Sequence, residues 1–118
     1  MAAPNIVNVS TITGKTAVQA VGTSATAIVT NSASSGKVFK VNALYISNVD
    51  AGGIAAAISA TIYRSSTDYH IAQTINVPHN ATLDIITKAI YLEEGDSLRL
   101  TADTAGDLEA VCSYEEIS

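Results

Sequence analysis

Two histidines, one cysteine and a crowd of carboxylates near the C-terminus are the residues of this 118-residue chain with reactive chemistry to offer. A serine or cysteine nucleophile needs a base within hydrogen-bond reach and a third group that orients the base. The bases are His70, beside an apolar position in a strand-like stretch, and His79, in a Pro-His-Asn turn. No Gly-x-Ser-x-Gly elbow occurs, and Cys112 in LEAVCSY has the setting of a small buried hydrophobe. Both histidines read as surface or pairing residues and Cys112 as core. No catalytic residue is assigned, and the chain is not read as an enzyme.

Paired carboxylates cleave glycosides, and Glu93, Glu94, Asp96, Asp103, Asp107, Glu109, Glu115 and Glu116 supply acids in number. Such enzymes also need a sugar cleft rich in aromatics, and this chain has no Trp, one Phe and five Tyr. Clustered Asp and main-chain oxygens suit Ca²⁺ where the 94–96 and 103–107 turns would meet, but no Asp-x-Asp-x-Asp-Gly loop is present. The histidines and the cysteine lack the spacing of transition-metal ligands. Ser35-Gly36-Lys37 lacks the rest of a phosphate-binding loop. Neither a metal nor a cofactor is assigned. Tyr45, Tyr63, Tyr69, Tyr91 and Tyr114 fall one per strand, the placement of residues at sheet edges and interfaces, with glycan contact as the alternative.

The elements that position these residues follow from period-two alternation, which recurs along the chain while helical spacing does not. The clearest stretch is 54–64, with Ile54, Ala56, Ile58, Ala60 and Ile62 on one face. A second, 38–49, puts Val38, Leu44 and Ile46 on one face and Phe39, Val41, Ala43 and Tyr45 on the other. With Gly52-Gly53 between them, these two are expected to form a hairpin. Further strands are predicted over 5–12, 16–21, 25–30, 69–77, 82–87, 89–92, 97–102 and 108–115, with breaks at Gly14-Lys15, Gly22-Thr23-Ser24, 31–37, Pro78-His79-Asn80, 94–96 and 103–107. Eight or nine strands at this spacing predict an all-β fold, an antiparallel β-sandwich of jelly-roll-like topology. The sandwich is assigned to 13–118. Residues 1–12 combine Pro4 with Ile6, Val7, Val9 and Ile12, too apolar for a solvated tail, and read as an edge strand or as an arm that docks on a neighbour. Pro4, Ile6, Val7 and Val9, with Tyr63, Tyr69 and Tyr114, are the candidate interface residues.

Composition supports a chain that works by contact. Charged residues make up 14% of the sequence, against about 25% in an ordinary globular protein, so the exterior is mild and weakly ionised. Six Lys and Arg and a net charge of −5 leave no basic stripe for nucleic acid. No apolar run approaches the ~18 residues of a membrane span. Residues 1–83 are slightly positive, while 84–118 hold nine carboxylates against Lys88 and Arg99, so one end of the fold is expected to be acidic, with its complement on a partner. A single cysteine forbids an intrachain disulfide, and the opening MAAPNIVNVS has no secretory signal pattern.

The blocks NIVNVSTITGKTAVQAV, NSASSGKVFKVNALYISNVD and AIYLEEGDSLRLTADTAGDLEAVCSYEEIS resemble small virion structural proteins of tailed phages, particularly those of marine cyanobacteria. The resemblance implies a non-enzymatic particle component: a capsid decoration or cement protein, or a neck or tail component. It implies a homo-oligomer, a trimer among the forms allowed, that packs on copies of itself and on other virion proteins, without nucleic acid or membrane. The chain would be made in the host cytoplasm and end in the virion. It also implies that LEEGDSLRL turns into a strand partnered by GDLEAVCSYEEI, with Leu98, Leu100, Leu108, Ala110 and Cys112 pointing inward. The alternative is a carbohydrate-binding or host-adhesion module of a tail fibre.

Overall fold

A computed structural model describes residues 4–118 of the chain. Nine strands occur among the described residues: β1 (Ile12–Val21), β2 (Thr26–Thr30), β3 (Val38–Asn48), β4 (Ala56–Arg64), β5 (Thr67–Val77), β6 (Thr82–Asp84), β7 (Ile90–Leu92), β8 (Ser97–Ala102) and β9 (Leu108–Ile117). No helix occurs among them, hence none long and apolar enough to cross a membrane. One sheet has the order β1-β9-β3, with β6 and β7 both paired to the far side of β3; the other has the order β2-β8-β4-β5. All pairings are antiparallel. The two sheets form the expected β-sandwich, and the chain winds between them in jelly-roll order. Where one long strand would close the first sheet, β6 and β7 stand as two short pieces.

The core lies between the layers. Leu98 and Leu100 from one sheet meet Leu108, Ala110 and Cys112 from the other, all buried as the alternation requires. Fully burying a Leu-sized side chain contributes about 1.5–3 kcal/mol, so this small set of contacts anchors both sheets. β3 resolves an oddity of its sequence. Phe39 and Val41 are buried at odd positions, Leu44 and Ile46 at even ones, and the register against β9 shifts between Val41 and Ala43. The bulge there spends one extra residue, Asn42, and moves the inward phase from odd to even.

The expected hairpin between 38–49 and 54–64 does not form. β3 lies in the first sheet and β4 in the second, and residues 49–55 carry the chain across the ~10 Å between the layers. A two-residue turn would have kept the strands in one sheet. Asn48, buried at the end of β3, holds the crossing: its side-chain amide donates to the carbonyls of Ile54 (3.0 Å) and Val77 (2.9 Å), and its oxygen accepts the Asp50 N–H (3.0 Å). Ile54, expected to face inward, lies in this crossing and is exposed. The hairpin that β4 does make is with β5, through Ser65 and Ser66, both at positive φ (52° and 62°). Those angles are the two-residue turn whose twist matches antiparallel strands, built here without Asn or Gly.

Three further expectations are corrected. The LEEGDSLRL strand, β8, is not the partner of β9; it pairs β2 and β4 and faces β9 across the core. Gly14-Lys15 is no break, because β1 runs through it opposite Glu115 and Tyr114. The strand predicted over 5–12 is absent before Ile12: residues 5–8 turn, with the Asn8 N–H donating to the Asn5 carbonyl (3.0 Å). Residues 1–3 of the predicted arm lie outside the described residues. Ser10 and Thr11 donate to the Ser118 carbonyl (2.8 and 2.9 Å), which tethers the segment beside the end of β9.

Part of the division of charge along the sequence is met within the fold. Lys15 and Lys37 both bond Glu116 (2.7 and 3.0 Å), and Arg64 bonds Glu93 and Asp96. Three of the four cations of residues 1–83 thereby meet three of the nine carboxylates of 84–118.

Candidate functional site

The two long sides of the sandwich differ. On the β1/β2 side, the Gln19 side chain donates to the Ala27 carbonyl (3.1 Å) and ties the layers together. On the opposite side the first sheet ends in the two short pieces β6 and β7, and the excursion 85–89 between them leaves the inner face of β5 without a full partner. A groove of about 400 Å³ opens there, lined by Ile62, Arg64, Tyr69, Ile71, Ile90 and Tyr91. A neighbouring hollow of about 360 Å³ shares Ile71 and Ile90 and continues under Ile85 and Ile86. Together they form a seam along the edge strand β5, apolar at Ile62, Ile71 and Ile90 and turning polar at Thr87 and Lys88.

Arg64 stands at one end of the seam, and its position is fixed. Its Nε donates to Asp96 Oδ1 (2.7 Å), and its Nη2 donates to Glu93 Oε2 (2.8 Å) and to Asp96. Burial pushes the Asp96 carboxyl up, but the Arg64 guanidinium and the Glu93 N–H (2.8 Å) outweigh it and hold the group below the ordinary carboxylate range. Asp96 is therefore a charged strut that joins the end of β4 to the 93–96 turn. The same turn is held by buried Asn31, whose amide donates to the carbonyls of Lys37 and Leu92 (3.0 Å each).

The residues weighed for chemistry are dispersed. His70 sits exposed on β5 opposite Thr61, and His79 sits exposed in the turn after it. Cys112 is fully buried between the sheets, and burial pushes its thiol up to about 11. Asp103 accepts the Ala57 N–H (2.9 Å) at one place while Asp96 holds Arg64 at another, so the 94–96 and 103–107 turns do not share a site. Among the described residues no group of three or more His, Cys, Asp or Glu could hold a metal ion.

The predicted interface residues do not converge either. Tyr69 is 59% exposed in the seam. Tyr63 is half-buried beneath Arg99, whose guanidinium carbon lies 4.3 Å from the ring centre. Tyr114 is half-buried against Phe39, with ring centres 5.6 Å apart. Pro4 and Val9 are half-buried, while Ile6 (51%) and Val7 (91%) stand in solvent. The sequence names Tyr91 among the tyrosines but does not place it beside Tyr69, where the β7 pairing brings it, and it gives no sign of an apolar row on the outer face of the first sheet. There Val18, Val111 and Tyr45 lie side by side across β1, β9 and β3. Their exposures are 74%, 38% and 43%. Alternation gave each residue's face, but only the strand order put the three in line.

No family model matches the chain, and no curated protein matches it. Among solved structures, the chain is similar to a subunit of Bacillus endospore appendages, described as a novel family of disulfide-linked pili. The TM-score is 0.53 at 14% identity, over 92% of this chain and 88% of that one. At that identity the likeness is one of fold.

Proposed function

We propose that this chain is a non-enzymatic structural component of a tailed-phage virion, which packs against copies of itself and against other virion proteins. The observation that carries the reading is the Val18–Val111–Tyr45 row: a sheet face that met only water would place polar residues at these outward positions. The mild exterior, the sequence resemblance and a sandwich whose counterpart serves in an appendage all support it. The means of joining differ from those of the disulfide-linked pili, because the one cysteine of this chain is inside the core. Within the particle the reading is a capsid decoration or cement protein, or a neck or tail component. The mechanism is mass action: copies that bind only the assembled state stabilise it by about 2.7 kcal/mol at one hundred times the dissociation constant. Mass spectrometry of purified particles is expected to find the chain in many copies; its presence in infected-cell lysate alone would overturn the reading.

A second reading, a carbohydrate-binding module of a tail fibre, draws on Tyr69 and Tyr91 lining one groove. A glycan array separates the two, since a purely structural component binds no sugar and an adhesion module loses its signal on Tyr69→Ala or Tyr91→Ala.

A further inference from the structure

We infer that the N-terminal arm of one copy docks in the seam of a second copy, so that the chain joins head to tail. The inference rests on the structural reading above and names the surfaces that such a subunit would use. Two features are unpartnered among the described residues and complementary. The arm presents Ile6 and Val7 to solvent, and residues 1–14 contain no charged side chain. The groove is apolar along Ile62, Ile71 and Ile90, and its one charged residue, Arg64, is already neutralised by Asp96 and Glu93. An uncharged arm therefore meets a groove whose one cation is already paired, with Lys88 at the far end of the seam. β5 also ends its sheet, with one edge of its main chain unpaired, and it pairs regularly with β4 from Thr67 to His70, beside the groove.

Reach keeps Val7 out of the chain's own groove. The arm is tethered at Ser10 and Thr11 to Ser118, at the β1 edge of the first sheet, whereas the seam lies beyond β7 at the other edge. Three strand spacings, about 14 Å, separate β1 from β7. From Ser10 to Val7 is three residues, which span at most about 10 Å fully extended. In a second copy no such limit applies. Opened from its turn, the arm alternates, with Val7 and Val9 on one face to enter between Tyr69 and Tyr91. Opening gives up the Asn5–Asn8 main-chain bond and the Val7 N–H bond to Asn5 Oδ1, both at the surface where water replaces them. Because arm and groove are different patches, the contact is heterologous and builds rings or filaments rather than closed pairs.

The test uses the full-length chain. Val7→Cys and Tyr69→Cys chains, purified separately and mixed under mild oxidation, are expected to give the mixed disulfide in preference to either homodimer, with Cys112 protected by burial. Val7→Asp is expected to weaken self-association in sedimentation velocity about tenfold or more. Both positions are exposed, and circular dichroism checks that each variant keeps its strands. Homodimers alone, an intrachain disulfide in the double variant, or glycan binding that Tyr69→Ala abolishes would each overturn the inference. If the natural chain assembles and Val7→Asp assembles equally well, this docking fails while the structural reading survives. A chain that stays monomeric and is absent from particles sinks both.

Discussion

Asn48→Ala tests the crossing that sends β3 and β4 to different sheets. Asn48 is buried, and its amide donates to two main-chain carbonyls, Ile54 and Val77. Val77 is itself fully buried, so its carbonyl would be left without a donor, at a cost of about 1–3 kcal/mol. Ile54 is exposed and its carbonyl can turn to water, so only the net value of that bond, about 1 kcal/mol, is lost. The expected total is about 3 kcal/mol, or about 12 °C in the melting midpoint of a chain this size. The near-isosteric Asn48→Asp is expected to be worse, because a carboxylate would face two carbonyl oxygens with nothing to donate. Burial among oxygens raises the folded pKa of such an Asp, so its destabilisation is greatest at neutral pH and is relieved as pH falls through that raised value. Urea unfolding followed by circular dichroism at pH 7 and pH 4.5 measures both effects. An Asp variant as stable as the natural chain, or an Ala variant within about 0.5 kcal/mol of it, would refute the role given to Asn48.

Two other perturbations probe the frame around the seam. Replacing the positive-φ pair by Ser65→Asn with Ser66→Gly is expected to stabilise the fold by about 1 kcal/mol, read as a higher thermal midpoint, because these residues adopt the turn at lower cost. Asp96 and Glu116 are both held below their ordinary pKa, Glu116 chiefly by its hydrogen bond from Lys15, so their stabilisation is full above about pH 5 and is lost as pH falls through the lowered values. Arg64→Met strands the buried Asp96 carboxylate and is expected to cost about 2 kcal/mol at pH 7, less than for a wholly buried pair because Arg64 is 46% exposed. The loss should shrink at pH 3.5, where Asp96 of the variant takes up a proton; urea midpoints at the two pH values check it.

Alternation by itself determined the class of fold and most of the core, since the side-chain period of a strand is two whatever its partners are. Ala56, Ile58 and Ala60 could be placed on one face without knowing what they touch, and all three are buried. Pairing was decided elsewhere. Gly52-Gly53 looks like a turn between neighbours, but Asn48 and the seven residues after it carry the chain into the other layer, and nothing local encodes that destination. Phe39 and Leu44 share an interior only because a bulge at Asn42 changes the phase between them. The seam exists because the strand opposite β5 is broken in two, and Tyr69 meets Tyr91 there across 22 positions of sequence. Such features depend on contacts between distant segments, whose free energy belongs to the assembled layers and to no window of the chain.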